Sequence, residues 1–84
     1  GPRVLVGFAA ETENHIANGL EKLKAKNLDL IVVNPVSGPE SAFDRDTNQA
    51  TLIQASGQLE EIPNMSKSEL AHQILDRVVM LLAR

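Results

Sequence analysis

The sequence predicts an α/β fold made of a β-α-β unit, a β-hairpin and a C-terminal helix. Two short apolar runs, Val4-Leu5-Val6 and Leu28 to Val33, bracket a stretch with helical periodicity. Ala50 to Ala55 and Gln58 to Ile62 then flank Ser56-Gly57, where glycine permits the positive φ of a tight turn. The remaining residues open on a helix-start signature and continue as an apolar stripe at helical spacing.

Val4 to Ala9 reads as a buried strand that closes in Gly7-Phe8-Ala9-Ala10-Glu11-Thr12. Thr12 is placed to cap the following helix, and Glu13 to complement its dipole in the first turn. Ile16, Ala17, Leu20 and Leu23 form the helical stripe. Asn27 is a C-terminal stop, with Lys22, Lys24 and Lys26 near the negative end of the dipole. Leu28-Asp29-Leu30-Ile31-Val32-Val33 is nearly continuous apolar sequence, as in a strand covered on both faces, and strand-helix-strand implies a right-handed crossover.

Residues 34 to 48 hold two prolines, one glycine and several Ser, Asp and Asn, which reads as a long polar loop of the kind that is usually functional or mobile, its role left open by the sequence. The hairpin follows, with Pro63-Asn64 expected to end it. Ser66-Lys67-Ser68-Glu69 fits a capping box, and Met65 and Leu70 fit a hydrophobic staple. Leu70, Ala71, Ile74, Leu75, Val78, Leu81 and Leu82 form the apolar face of the last helix.

Eighty-four residues make one domain at most, with a marginal core. Parallel strands are normally covered and extended by neighbours, so residues 3–84 read as a segment of a larger domain. Gly1-Pro2 reads as a remnant of tag cleavage. A net charge of −3 does not suggest a nucleic-acid surface. No cysteine is present for a disulfide or thiolate metal site, and no apolar run reaches the ~18 residues of a membrane span. The two aromatics, Phe8 and Phe43, are too few for a base-stacking platform.

A strand that stops in small residues and runs into a helix N-terminus makes a shallow floor with free backbone N–H groups. In doubly wound α/β proteins that edge binds ligands. Lys22 and Lys26 share a helix face, roughly 95–135° from the stripe centre, where paired ammonium groups could hold a polyphosphate. Late-helix lysines are more often simply solvated, and spacing alone favours that reading. Glu11 and Glu13 could pair on a metal, although acids at a helix start more often only serve its dipole. His15 and His72 stand without partners at zinc-ligand spacing; His72 with Asp76 reads as an ordinary surface pair. Asp44-Arg45-Asp46-Thr47-Asn48 opens like a calcium loop but fails at Gln49 and Ala55, so turn chemistry is the better reading. No nucleophile motif, phosphate-binding lysine loop or dinucleotide fingerprint is present, which disfavours a dehydrogenase fragment.

Several blocks in order resemble phosphopantothenate–cysteine ligase, the C-terminal half of a bacterial bifunctional decarboxylase/ligase. They are Gly7 to Thr12, Glu21 to Asn27, Asp29 to Asn34, Phe43-Asp44 with Asn48, the hairpin, and Ser66-Lys67 with Leu70-Ala71 and Ile74. The resemblance implies the C-terminal portion of a Rossmann-like three-layer fold, in a cytoplasmic enzyme of coenzyme A biosynthesis. It implies CTP as co-substrate, Mg2+, 4′-phosphopantothenate and cysteine as substrates, and a homodimer or higher assembly completed by the N-terminal part of the same domain. It assigns nucleotide contacts to Phe8, Ala9, Ala10, Lys22 and Lys26, and a place lining the pocket to Asn34. Pro35 departs from the acidic or other polar residue often found there. The rival reading is a non-catalytic α/β interaction module that associates through an edge strand.

Overall fold

A continuous apolar run places hydrophobic side chains on both faces of a strand, so both faces must be covered, and β2 shows this most clearly. The computed structural model describes residues 3–35 and 47–83. The elements are β1 (Val6–Glu11), α1 (His15–Ala25), β2 (Leu30–Pro35), β3 (Thr47–Gln54), β4 (Leu59–Ser66) and α2 (Lys67–Ala83). They form one four-stranded sheet in the order β1-β2-β3-β4. β1 and β2 are parallel, while β2–β3 and β3–β4 are antiparallel. Leu30 and Val32 enter a cluster with Ala50, Leu52, Ile62 and the α2 residues Leu70 and Leu81. Ile31 and Val33 enter the opposite cluster with Ala9, Ile53 and Leu23 of α1. The architecture is therefore three-layered, α1/sheet/α2, in agreement with the fold expected from the sequence.

Most element boundaries move by about two residues, for local reasons. β1 starts at Val6 and not Val4, because Leu5 turns its main chain to Asp29: Leu5 N–H donates to Asp29 Oδ2 at 2.8 Å, and Asp29 N–H donates to Leu5 O at 2.9 Å. It runs on to Glu11, in register with Pro35. That extension displaces the helix start. Thr12 and Glu13 lie outside α1, and its N-cap is Asn14, left-handed at φ 48° with no side-chain cap bond. Asn27 ends the helix as expected, at φ 55°. β2 is shifted likewise, from the expected 28–33 to Leu30–Pro35.

Pro63-Asn64 does not end the hairpin. β4 passes through both to Ser66, with a bulge where Ala50 pairs Ile62 but Asn48 pairs Met65. Proline is tolerated because β4 is an edge strand. Gly57 takes φ 98° in the turn, as read from the sequence. The capping box of α2 is complete. Glu69 N–H donates to Ser66 Oγ at 3.1 Å, and Ser66 N–H donates to Glu69 Oε1 at 3.2 Å. Arg77 fixes α2 to β4 through two bonds to Glu60, Nε–Oε1 at 2.9 Å and Nη2–Oε2 at 2.6 Å.

The predicted apolar faces are only partly covered. Ala71, Leu75 and Leu82 of α2, and Ala17 of α1, are exposed. Gly19, unremarked in the sequence, is buried where α1 crosses β2.

Candidate functional site

β1 and β2 end side by side, with Ala10 in register with Asn34 and Glu11 with Pro35. α1 begins four residues after β1 and runs back along the sheet, so its N-terminus stands at this carboxyl edge. Lys26, its C-cap, therefore lies at the opposite end, two residues before Leu28 and the approach to β2.

Alternation along β1 divides the remaining candidates between the two faces. Ala9 packs under α1, and Glu11 shares that face; Val6 packs on the α2 side, and Phe8 and Ala10 share that one. Phe8 is 68% exposed. Asn34 has the parity of Val32 and so stands on the Phe8 side, where its Nδ2 donates to Gln49 O at 3.2 Å and ties β2 to β3.

On the α1 side, Lys22 reaches back from the last turn of the helix. Its Nζ donates to Glu11 Oε2 at 2.5 Å, and the Glu11 side chain is only 12% exposed against 44% for Lys22. Asn18 Nδ2 donates to the other Glu11 oxygen at 3.1 Å and to Glu13 O at 3.1 Å. The Lys22 hydrogen bond holds the Glu11 carboxyl below its usual range, against the opposing effect of desolvation; the Lys22 charge and Asn18 act in the same direction as the bond. Glu11 is thus paired with a cation and not with Glu13. Among the described residues, no three His, Cys, Asp or Glu side chains gather to hold a metal. His15 is half-buried at the start of α1, and His72 and Asp76 are exposed on α2. Asp44, Arg45, Asp46 and Phe43, with most of the loop 35–48, lie outside the described residues.

Sequence reasoning missed Asn18 and the engagement of Glu11 with Lys22. The two residues are eleven positions apart on different elements, β1 and α1, so no local periodicity links them. Only the packing of α1 back over β1 brings them together. A hollow of about 570 Å3 lies at the hairpin end, lined by Gln54, Gln58, Glu60, Arg77, Met80 and Leu81 among others. Its two charged groups already satisfy each other.

The family model described as the DNA/pantothenate metabolism flavoprotein C-terminal domain matches residues 1–82. The chain belongs to this family. It is 43% identical over 79 residues to the coenzyme A biosynthesis bifunctional protein CoaBC of Bacillus subtilis, covering 94% of this chain and 20% of that protein. A cysteine/cysteine sulfinic acid decarboxylase from an unknown prokaryotic organism is 39% identical over 79 residues, covering 94% of this chain and 22% of that one. A crystal structure of the C-terminal domain of CoaBC superposes with a TM-score of 0.78 at 34% identity, covering 95% of this chain and 35% of that one. The chain spans about a fifth of the length of these curated relatives. In this member of the flavoprotein C-terminal domain family, the outer edge of β1 has no partner strand among the described residues. No helix among them is long and apolar enough to cross a membrane.

Proposed function

We propose that this chain is the C-terminal segment of a CTP-dependent phosphopantothenate–cysteine ligase and supplies part of its nucleotide site. The observation that carries this reading is the Lys22 ammonium held at the carboxyl edge of the sheet, beside a strand that ends in Ala9-Ala10-Glu11. Small residues leave the backbone open to a base or ribose, and a lysine offers a mobile point charge to phosphate. The CoaBC relatives, named for coenzyme A biosynthesis, support the same reading.

In the proposed reaction, the carboxylate of 4′-phosphopantothenate attacks the α-phosphate of CTP and releases pyrophosphate, leaving an acyl-cytidylate. The amine of cysteine then attacks the acyl carbon and displaces CMP to form the amide. Catalysis of this kind rests on positioning and on charge neutralisation. Lys22 neutralises phosphate from the α1 side. Phe8 and Ala10 meet the nucleotide from the other face, so the ligand straddles the end of β1, with Asn34 bordering it. Lys26, a helix length away from that edge, serves the polyphosphate only at its far end. Magnesium enters with the triphosphate, whose oxygens are the hard ligands it prefers. The rest of the domain, and a second copy in a dimer, complete the site.

The test is calorimetric titration of Mg-CTP and Mg-ATP into the longer protein that carries this segment. Lys22→Ala is expected to weaken CTP binding by roughly 1–3 kcal/mol, the scale of a lost charged hydrogen bond. A folded protein that binds no nucleotide refutes the reading. The edge of β1, unpaired among the described residues, favours one alternative, a non-catalytic module that docks by strand addition, for which Lys22→Ala is silent.

A further inference from the structure

We infer that Glu11 is a positioning residue for Lys22, drawing its ammonium from the last turn of α1 to the carboxyl edge of the sheet where phosphate would bind. This rests on the reading above that Lys22 meets the nucleotide. A lysine at the end of a helix that runs away from the site is badly placed to act there, and left to itself its long stem samples many rotamers. Side chains on a helix lean toward its N-terminus, which here is the site end. Glu11 supplies the anchor that makes this lean definite. Its carboxylate is the last residue of β1, faces α1, and is held from the other side by Asn18. An ammonium has three donors, and the carboxylate takes one bond from it. With the Lys22 side chain still 44% exposed, donors remain for a phosphate. Asn18 ties the same carboxylate to the Glu13 carbonyl in the β1–α1 connection, so strand, turn and helix share one polar clasp.

The alternative within the same geometry is that Glu11 merely competes with phosphate for Lys22, and the two predict opposite signs. Lysine ammonium 1H–15N spectra of the 84-residue chain should show a restrained Lys22 signal, assigned by its loss in Lys22→Met. Glu11→Gln, which keeps the shape and an acceptor for Asn18, should abolish that signal, and Glu11→Asp should restore part of it. In the longer protein, Glu11→Gln should weaken Mg-CTP binding about three- to ten-fold, the scale of releasing part of a lysine's rotamer freedom. In a Lys22→Met background, Glu11→Gln should change nothing further. Unchanged or tighter CTP binding in Glu11→Gln overturns the inference, as does equal weakening in the Lys22→Met background. If Lys22→Met itself leaves CTP binding intact, the nucleotide reading fails instead, and the ammonium spectrum decides the Glu11 hold on Lys22 by itself.

Discussion

At Gly19 helix α1 packs closely on the sheet, and replacing the glycine with alanine separates two opposing effects. A Cβ at Gly19 would stand 2.7 Å from Val33 Cγ2 and 3.3 Å from Ile53 Cδ1. Val33 and Ile53 are both 0% exposed. Valine is stiff at χ1, and Val33 lies in a central strand between Ala9 and Thr51, so it cannot swing away as a surface side chain would. Overpacking of this kind costs about 1–3 kcal/mol, and two contacts against an immobile neighbour point to the upper half. Against that, Gly→Ala inside a helix gains about 1 kcal/mol. The expected net effect of Gly19→Ala is a destabilisation of about 1–2 kcal/mol, a fall of about 1 M in the urea midpoint at a typical slope for a small domain. Ala17→Gly, exposed on the same helix, isolates the propensity contribution and should cost about 1 kcal/mol. Val33→Ala removes the obstructing methyl. The double variant should therefore fall short of the summed single effects by about 1 kcal/mol or more. A raised midpoint in Gly19→Ala, or strict additivity with Val33→Ala, refutes the argument.

Ser66→Ala removes the hydroxyl that accepts from Glu69 N–H at the start of α2 and should cost about 1 kcal/mol, read as a fall in Tm of about 4–8 °C. Arg77→Ala removes a bidentate but partly solvated ion pair and should cost about 1 kcal/mol at neutral pH. The Arg77 hydrogen bond lowers the folded-state pKa of Glu60, so the unfolded chain binds more protons in that range. The pair's contribution is present above the ordinary glutamate range and is lost as pH falls through the lowered folded-state value. Denaturation curves should show the gap between parent and Arg77→Ala closing over that acid window, and a constant gap would sink the assignment.

The legible parts of the fold were those in which local chemistry and final environment agree. The capping box at Ser66, the turn at Gly57 and the stop at Asn27 each satisfy backbone demands within a few residues, and each stands where the sequence placed it. The apolar run of β2 announced burial on both faces because no alternation was left to spare. The illegible parts depend on contacts between distant segments. Thr12 looked like a cap because nothing local shows that β1 runs to Glu11, a length set by its ladder to β2. Pro63-Asn64 looked like an end because a bulge on an edge strand is visible only once the partner strand is known. Lys22 was singled out by its distance from the buried stripe, whereas its partner lies on another element.

The apolar faces carry one further lesson about a segment of this size. Leu75, Val79 and Leu82 extend the α2 stripe beyond what β3 and β4 cover, and Leu75, Val79 and Phe8 are each more than half exposed. Surface helices of a finished domain seldom leave three large aliphatics open on one flank, since single exposed ones are normal but a contiguous set marks a contact surface. The solved domain is almost three times the extent of this chain, which covers 35% of it. Hydrophobic patterning is set by burial in the whole domain, so the mismatch between predicted and observed cover falls where contacts from the rest of that domain are expected. The exposed part of the α2 stripe and the edge of β1, unpaired among the described residues, are both open to such contacts. The polar cluster of Glu11, Asn18 and Lys22, by contrast, finds its partners within the chain, and so needs no such contact to hold its geometry.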